Sequence, residues 1–282
     1  MNGGHCPPSF LLASNGTQTL TEKIQIELKN VSHAYVTADG RLPVLKNFSL
    51  EVKSGGFTAV VGPSGCGKST LTRLIAGLIK PDEGEIYLAG ERVTSPRPTV
   101  GMAFQNPVML EWRSVIKNVT LPLEIVKPSQ PWSKQRERAR ELLKMVSLED
   151  FEDKRPSELS GGMRQRVSLC RSLVHYPEVL VLDEPFGALD AFTREELWLV
   201  MNALRKEVAF TCILITHDLR ESVFLSDEVV VLSDRPAETQ HVAKIPFGKE
   251  RKLADLYSPE ATQLLAGLRH QIEIAQGRNK EP

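Results

Sequence analysis

A chain of 282 residues, 41% hydrophobic and 25% charged, carries enough apolar material for one or two folded domains. Its 35 basic and 35 acidic residues cancel, which leaves no electrostatic footprint for nucleic acid or a strongly acidic partner. Cys6, Cys66, Cys170 and Cys212 have neither metal-ligand nor disulfide spacing, and no apolar run reaches the ~18 to 20 residues that span a bilayer, so a reduced cytosolic chain is expected.

Residues 1–22 read as a disordered leader of Gly, Pro, Ser, Asn and Thr. In "KIQIELKNVSHAY", Ile24, Ile26 and Leu28 alternate as in a strand; "LKNFSLEV" and "FTAVVG" predict two more, the second apolar throughout and therefore buried. "GPSGCGKST" follows it: Gly62, Pro63, Ser64, Gly65, Cys66, Gly67, Lys68, Ser69 and Thr70 match G-x-x-x-x-G-K-[ST]. The helix "STLTRLIAGLI" completes the strand–loop–helix context that a phosphate loop needs. Backbone N–H groups from Gly65 to Ser69 are expected to wrap a β-phosphate, with Lys68 on the β/γ oxygens and the Ser69 hydroxyl on Mg²⁺. The same N–H groups and Lys68 would favour thiolate at Cys66, against the plainer reading of a small residue filling a variable position of the loop.

"KPDEGEIYLAGERV" predicts turn, strand, turn, strand. Gln105, in "MAFQNP", stands where strand signals stop, a candidate γ-phosphate sensor and hinge. Residues 106–160 read as a helical insertion in which Pro122, Pro128 and Pro131 break the chain and "SKQRERARELLKMV" is an amphipathic helix. "LSGGMRQR" is a second anion-binding helix start: Ser160 caps, while Gly161 and Gly162 admit a ligand to the backbone. Arg164, Arg166 and Arg171 are expected to make structural contacts.

The buried strand "VLVLDEP" ends in two carboxylates: Asp183 for Mg²⁺ and Glu184 to polarise an attacking water. "ILITHD" ends at Thr216 and His217, the latter placed to sense a γ-phosphate. Strands and helices alternate through "EELWLVMNALRKEV" and "EVVVLS", which predicts a mostly parallel α/β sheet. Beyond Asp234 the signal weakens until the terminal helix "ATQLLAGLRHQIEIAQ", where Leu264, Leu265 and Leu268 are expected to pack on the core.

Over residues 24–235 these features resemble, in order, the ATP-binding subunit of an ABC transporter. Tyr35 resembles the adenine-stacking aromatic, Gln105 the Q-loop, "LSGGM" the signature, "VLVLDEP" the Walker B strand, "FGALD" (Phe186 to Asp190) the D-loop, and His217 the switch histidine. The resemblance implies a P-loop NTPase core (RecA-like sheet) with an antiparallel β lobe and a helical subdomain at about 106–160, an ATPase domain over 23–235, and a C-terminal helical extension over 236–282. It implies ATP and Mg²⁺, with Ser69, Gln105 and Asp183 toward the metal and Lys68, Gln105, Glu184 and His217 toward catalysis. It also implies a head-to-tail homodimer in the ATP-bound state, in which Ser160, Gly161, Gly162 and Asp190 complete the partner's site. One departure is Met163, where the signature usually has Gln and a side-chain hydrogen bond is lost.

"EPFGALD", "NPVMLEWRSVIKNVTLPLEI" and "VVVLSDRPAE" look most like bacterial importers of nitrate, taurine, alkanesulfonates and thiamine-precursor pyrimidines, with Glu111 departing from a usual Pro. That implies integral membrane permease subunits as partners, a solute-binding protein indirectly, and a peripheral place on the cytoplasmic face of the membrane. Residues 106–125 would form the groove for the permease's coupling helix; Met109, Leu110 and Trp112 either face it or fill the lobe's core. An exporter ATPase with separate membrane subunits stays open. A soluble ABC ATPase of DNA repair or translation fits less well, because the insertion is short and no basic patch is present.

Overall fold

A computed structural model of the chain describes residues 23–127 and 131–277; the expected leader and Pro128 lie outside the described residues. Two long strands, β1 (Ile24–Thr37) and β2 (Gly40–Lys53), pair antiparallel. With β4 (Glu83–Leu88) and β5 (Glu91–Arg92) they form a sheet in the order β2-β1-β4-β5. This is the expected antiparallel lobe.

The second sheet holds β3 (Phe57–Val61), β6 (Val100–Phe104), β7 (Val179–Asp183), β8 (Thr211–Ile215), β9 (Glu228–Leu232) and β10 (Thr239–Lys244), in the order β10-β9-β3-β8-β7-β6. Its strands run parallel except β10, which pairs antiparallel with β9. All five residues of β3 and β8 are buried, because helices cover both faces. Alternate side chains serve two separate cores. Phe57, Ala59, Val61, Leu180 and Leu182 point to one, with the helical lobe; Val60, Val179 and Val181 point to the other, with the antiparallel lobe.

The helices are α1 (Lys68–Ile75), α2 (Val115–Val119), α3 (Leu121–Val126), α4 (Trp132–Met145), α5 (Gly161–Leu173), α6 (Ala191–Glu207), α7 (Leu219–Leu225) and α8 (Pro259–Ala275). Pro122 and Pro131, expected as breakers, instead open α3 and cap α4, where a missing N–H costs nothing. Asn118, fully buried on α2, accepts from Leu110 N at 2.8 Å and donates to the carbonyls of Leu110, Arg113 and Ser114 at 3.1 Å each. It thereby fixes the turn that leaves Trp112 74% exposed. Met109 belongs to the lobe's core and Trp112 does not.

The C-terminal extension, expected to be helical, is so only in part, since its first stretch adds β10 to the central sheet. Arg251 then ties it down. Its guanidinium, 8% exposed, donates to the carbonyls of Val223, Phe224 and Ser226 at the end of α7 (2.7, 3.0 and 2.7 Å) and to those of Phe247 and Gly248. Burial lowers its pKa to about 10, so the charge that satisfies the helix end is kept at neutral pH. Leu268 is buried and Leu264 and Leu265 pack beside it, as the terminal helix was expected to do.

Candidate nucleotide site

The phosphate loop leaves β3 and enters α1 through backbone that only glycine adopts freely. Gly65 has φ +79° and Gly67 φ +124°, and a Cβ on Gly67 would lie 2.7 Å from Val44 Cγ1. Lys68, buried at the start of α1, donates from Nζ to the carbonyls of Gly62 (3.0 Å) and Pro63 (2.8 Å). Two of its three donors thus hold it across the hollow of the loop.

Across from the loop, β7 ends at Asp183. Its carboxyl accepts from the Ser69 hydroxyl, but burial first, and the Glu184 charge second, raise its pKa above the ordinary carboxylate value. Two carboxylates on successive residues at a buried strand end repel, so the site favours an added cation. Glu184 takes a left-handed backbone (φ +49°) and its N–H donates to Ile215 O at 2.8 Å, which turns the side chain away from that of Asp183. Its Oε2 lies 3.1 Å from His217 Nδ1. Gln105 and His217 both approach Gly187: a Cβ there would meet Gln105 Nε2 at 3.2 Å and His217 Cε1 at 3.5 Å, so a side chain would press on the end of Gln105.

One cleft of about 510 Å³ collects Tyr35, Ser64, Gly65, Gly67, Lys68, Ser69, Thr70, Glu184 and His217. The Tyr35 hydroxyl meets Thr70 Oγ1 at 3.3 Å, and the His33 ring stands edge-on to the Tyr35 ring at 5.0 Å. Leu42, Val44 and Arg235 also line this cleft. Sequence reading missed all three. Leu42 and Val44 differ in no way from ordinary strand residues, whereas Arg235 sits in "SDRPAE", noticed only as a likeness to certain importers.

Cys66 contradicts the thiolate reading and fits that of a small residue filling the loop. It is fully buried in the core of the antiparallel lobe, and burial pushes the thiol's pKa up despite Lys68 nearby. Desolvation outweighs the neighbouring cation.

The helix start at Ser160, expected to bind an anion, lies apart from this cleft. Ser160 caps α5 by accepting from Met163 N at 3.3 Å, and Asp190 caps α6 by accepting from Thr193 N at 3.1 Å and from the Thr193 hydroxyl at 2.7 Å. Those last two bonds hold the Asp190 carboxyl below its usual pKa. The two caps are packed together: a Cβ on Gly162 would sit 2.5 Å from Thr193 Cγ2. Met163 turns onto the core of the helical lobe. Arg164, Arg166 and Arg171 donate to the carbonyls of Leu159, Val146 and Val108, the structural contacts expected of them. Arg194 bridges the loops on either side of His217 and Asp190, donating to Leu189 O and to Asp218, both at 2.9 Å. Among the described residues, no group of three or more His, Cys, Asp or Glu is placed to hold a metal, and no helix is long and apolar enough to cross a membrane.

The sequence profile of the ABC transporter family matches residues 45–187. A bicarbonate transport ATP-binding protein of Synechocystis is 41% identical over 80% of each chain. A nitrate import ATP-binding protein of Synechococcus elongatus is 41% identical over 79% of this chain and 81% of its own. The dimeric ATP-binding cassette MJ0796, in a post-hydrolysis state bound to ADP and Pi, superposes with a TM-score of 0.69 at 31% identity, covering 79% of this chain and all of that one. The family profile runs through both the Lys68 cleft and the Ser160 helix start, and the chain belongs to the ABC transporter family as an ATP-hydrolysing cassette.

Proposed function

We propose that this chain energises a membrane importer of a small anion, of the nitrate, bicarbonate or sulfonate kind, or of a thiamine-precursor pyrimidine. The observation that carries the hydrolytic part is the Glu184–His217 pair facing Lys68 and Ser69 across one cleft. The import part is supported by relatives whose names give bicarbonate transport and nitrate import. Integral permease subunits would be the direct partners and a solute-binding protein an indirect one, with this chain peripheral at the cytoplasmic face.

In this reading the loop amides from Gly65 to Ser69 bind the phosphates of ATP, Tyr35 stacks on adenine, and Lys68 releases the Gly62 and Pro63 carbonyls to meet the β/γ oxygens. Ser69 and Asp183 would hold Mg²⁺, joined by Gln105; a Ser hydroxyl beside a carboxylate suits a cation that takes its other ligands from phosphate and water. The metal neutralises phosphate charge when bound. Glu184 takes the proton of the attacking water on its carboxylate, and His217, held by that carboxylate, orients toward the terminal phosphate. Ser160, Gly161, Gly162 and Asp190 lie outside the chain's own cleft, so a head-to-tail second copy is needed to bring them to it. Hydrolysis then removes the charge that links the two copies.

The test is solute uptake by cells carrying wild type or Glu184→Gln, over nitrate, bicarbonate, taurine, an alkanesulfonate and a thiamine-precursor pyrimidine, beside the ATPase rate of each purified protein. Loss of both turnover and uptake of one solute is expected. Turnover that survives the substitution refutes the role of Glu184. Uptake that survives while turnover is lost refutes import of these solutes and favours the exporter alternative.

A further inference from the structure

The loop after β9 reaches back over the phosphate loop. Arg235 Nε and Nη2 both donate to the Gly65 carbonyl, at 3.1 and 2.7 Å, and the side chain lines the same cleft as Lys68 and Ser69. The loop that carries Arg235 is anchored independently of its target. Ala237 N donates to Val44 O at 2.8 Å, Lys46 N donates to Ala237 O at 3.1 Å, and Lys46 pairs with Glu238 at 3.2 Å. Asp234 Oδ1 accepts from Arg235 N at 2.8 Å. The guanidinium is therefore held from β2, while the carbonyl it grips belongs to a glycine at φ +79° with no side chain of its own to fix the peptide plane.

A peptide unit is planar, and its carbonyl points opposite to the N–H that follows. Turning Gly65 O outward to Arg235 turns Cys66 N–H inward, where its partner is Pro63 O at a long 3.4 Å. A donor that weakly engaged is ready to change partners. Two donors from one charged guanidinium on a single carbonyl also polarise the amide and strengthen its N–H.

We propose that Arg235 is a positioning residue for nucleotide: it clamps the Gly65–Cys66 peptide so that the Cys66 N–H faces the bound phosphates. The inference rests on the reading of this cleft as the ATP site. The clamp acts on the loop and not on the terminal phosphate, so it serves ATP and ADP alike.

The experiment uses the full chain and its Arg235→Ala and Arg235→Lys variants. It measures the affinities for MgATP and MgADP by calorimetry, with kcat, KM and Tm alongside. Arg235→Ala is expected to weaken both nucleotides about tenfold, in line with loss of charged hydrogen bonds, and to raise KM with kcat unchanged. Arg235→Lys is expected to recover part of that loss, because an ammonium reaches the carbonyl from one point and lacks the planar fork. Should Arg235→Ala lower Tm, the Lys variant carries the comparison. Unchanged affinities, a loss confined to MgATP, or a fall in kcat alone would overturn the clamp. Failure of the wild-type chain to bind either nucleotide would overturn the reading of the cleft itself.

Discussion

Gly162→Ala tests the packing of the signature helix and its function in one cycle. The new Cβ would lie 2.5 Å from Thr193 Cγ2, well inside contact distance. Thr193 cannot swing the methyl aside cheaply, because its hydroxyl donates to Asp190 at 2.7 Å. Overpacking of this kind costs about 1–3 kcal/mol, against a helix-propensity gain of at most about 1 kcal/mol for replacing Gly by Ala. The single variant is therefore expected to lose about 0.5–2 kcal/mol in urea unfolding. Thr193→Ser removes the methyl and keeps the hydroxyl. In that background Gly162→Ala is expected to be neutral or stabilising, a reversal of sign and a coupling of about 1–3 kcal/mol. Equal destabilisation in both backgrounds, within about 0.5 kcal/mol, would refute the contact. The double variant then isolates the chemistry. Its new methyl takes the space of the Thr193 methyl and leaves uncovered the backbone proposed to meet the partner's phosphate, so its ATPase rate is expected to survive. Loss of turnover in a double variant of wild-type stability would refute a contact made through the Gly162 backbone alone.

Arg251→Ala strips five carbonyls of their buried donor and is expected to cost about 3–5 kcal/mol in urea unfolding; a loss below about 1 kcal/mol would show that the end of α7 needs no such partner. Cys66 is expected to resist maleimide in the native protein and to react on unfolding, read by peptide mass spectrometry, since it is buried and its pKa is raised. The same shift sets a sign: the folded state favours the protonated thiol, so its contribution to stability is intact below the ordinary value of 9.0 and declines as pH climbs from there toward the raised value. Trp112→Ala is expected to weaken co-purification with the permease about 30-fold while MgATP affinity stays put, because the ring is 74% exposed and belongs to neither core nor the nucleotide cleft; equal loss of both would refute a partner-facing role.

The chemistry-bearing strands were legible because their apolar runs end abruptly in polar groups: β3 at the phosphate loop, β7 at Asp183 and β8 at Thr216. Elements without that contrast were not. β10 reads "TQHVAK", with five of six residues exposed on an edge of the sheet, and β6 carries Gly101 in its second position. Gly101 is there because a Cβ would meet Ser172 O at 2.1 Å, a reason that exists only once α5 is packed on the strand. Pro122 and Pro131 misled because a proline that opens a helix and one that ends it look alike in sequence. Cys66 misled for a similar reason: its neighbours along the chain favour thiolate, and its neighbours in space exclude water. Arg235 was invisible because its partner lies 170 residues away.

The sheet that divides the molecule also divides the grip on phosphate. Helix α1, below the loop, is seated through Leu71, Leu74 and Ile75 in one core, and α5, below Ser160, through Val167, Leu169 and Leu173 in the other. Each helix is therefore seated in its own core, while β3 and β7 send alternate side chains into both. A packing change beneath one helix start can then be absorbed in its own core without repacking the other, so the two ends are separately tunable parts of one chain.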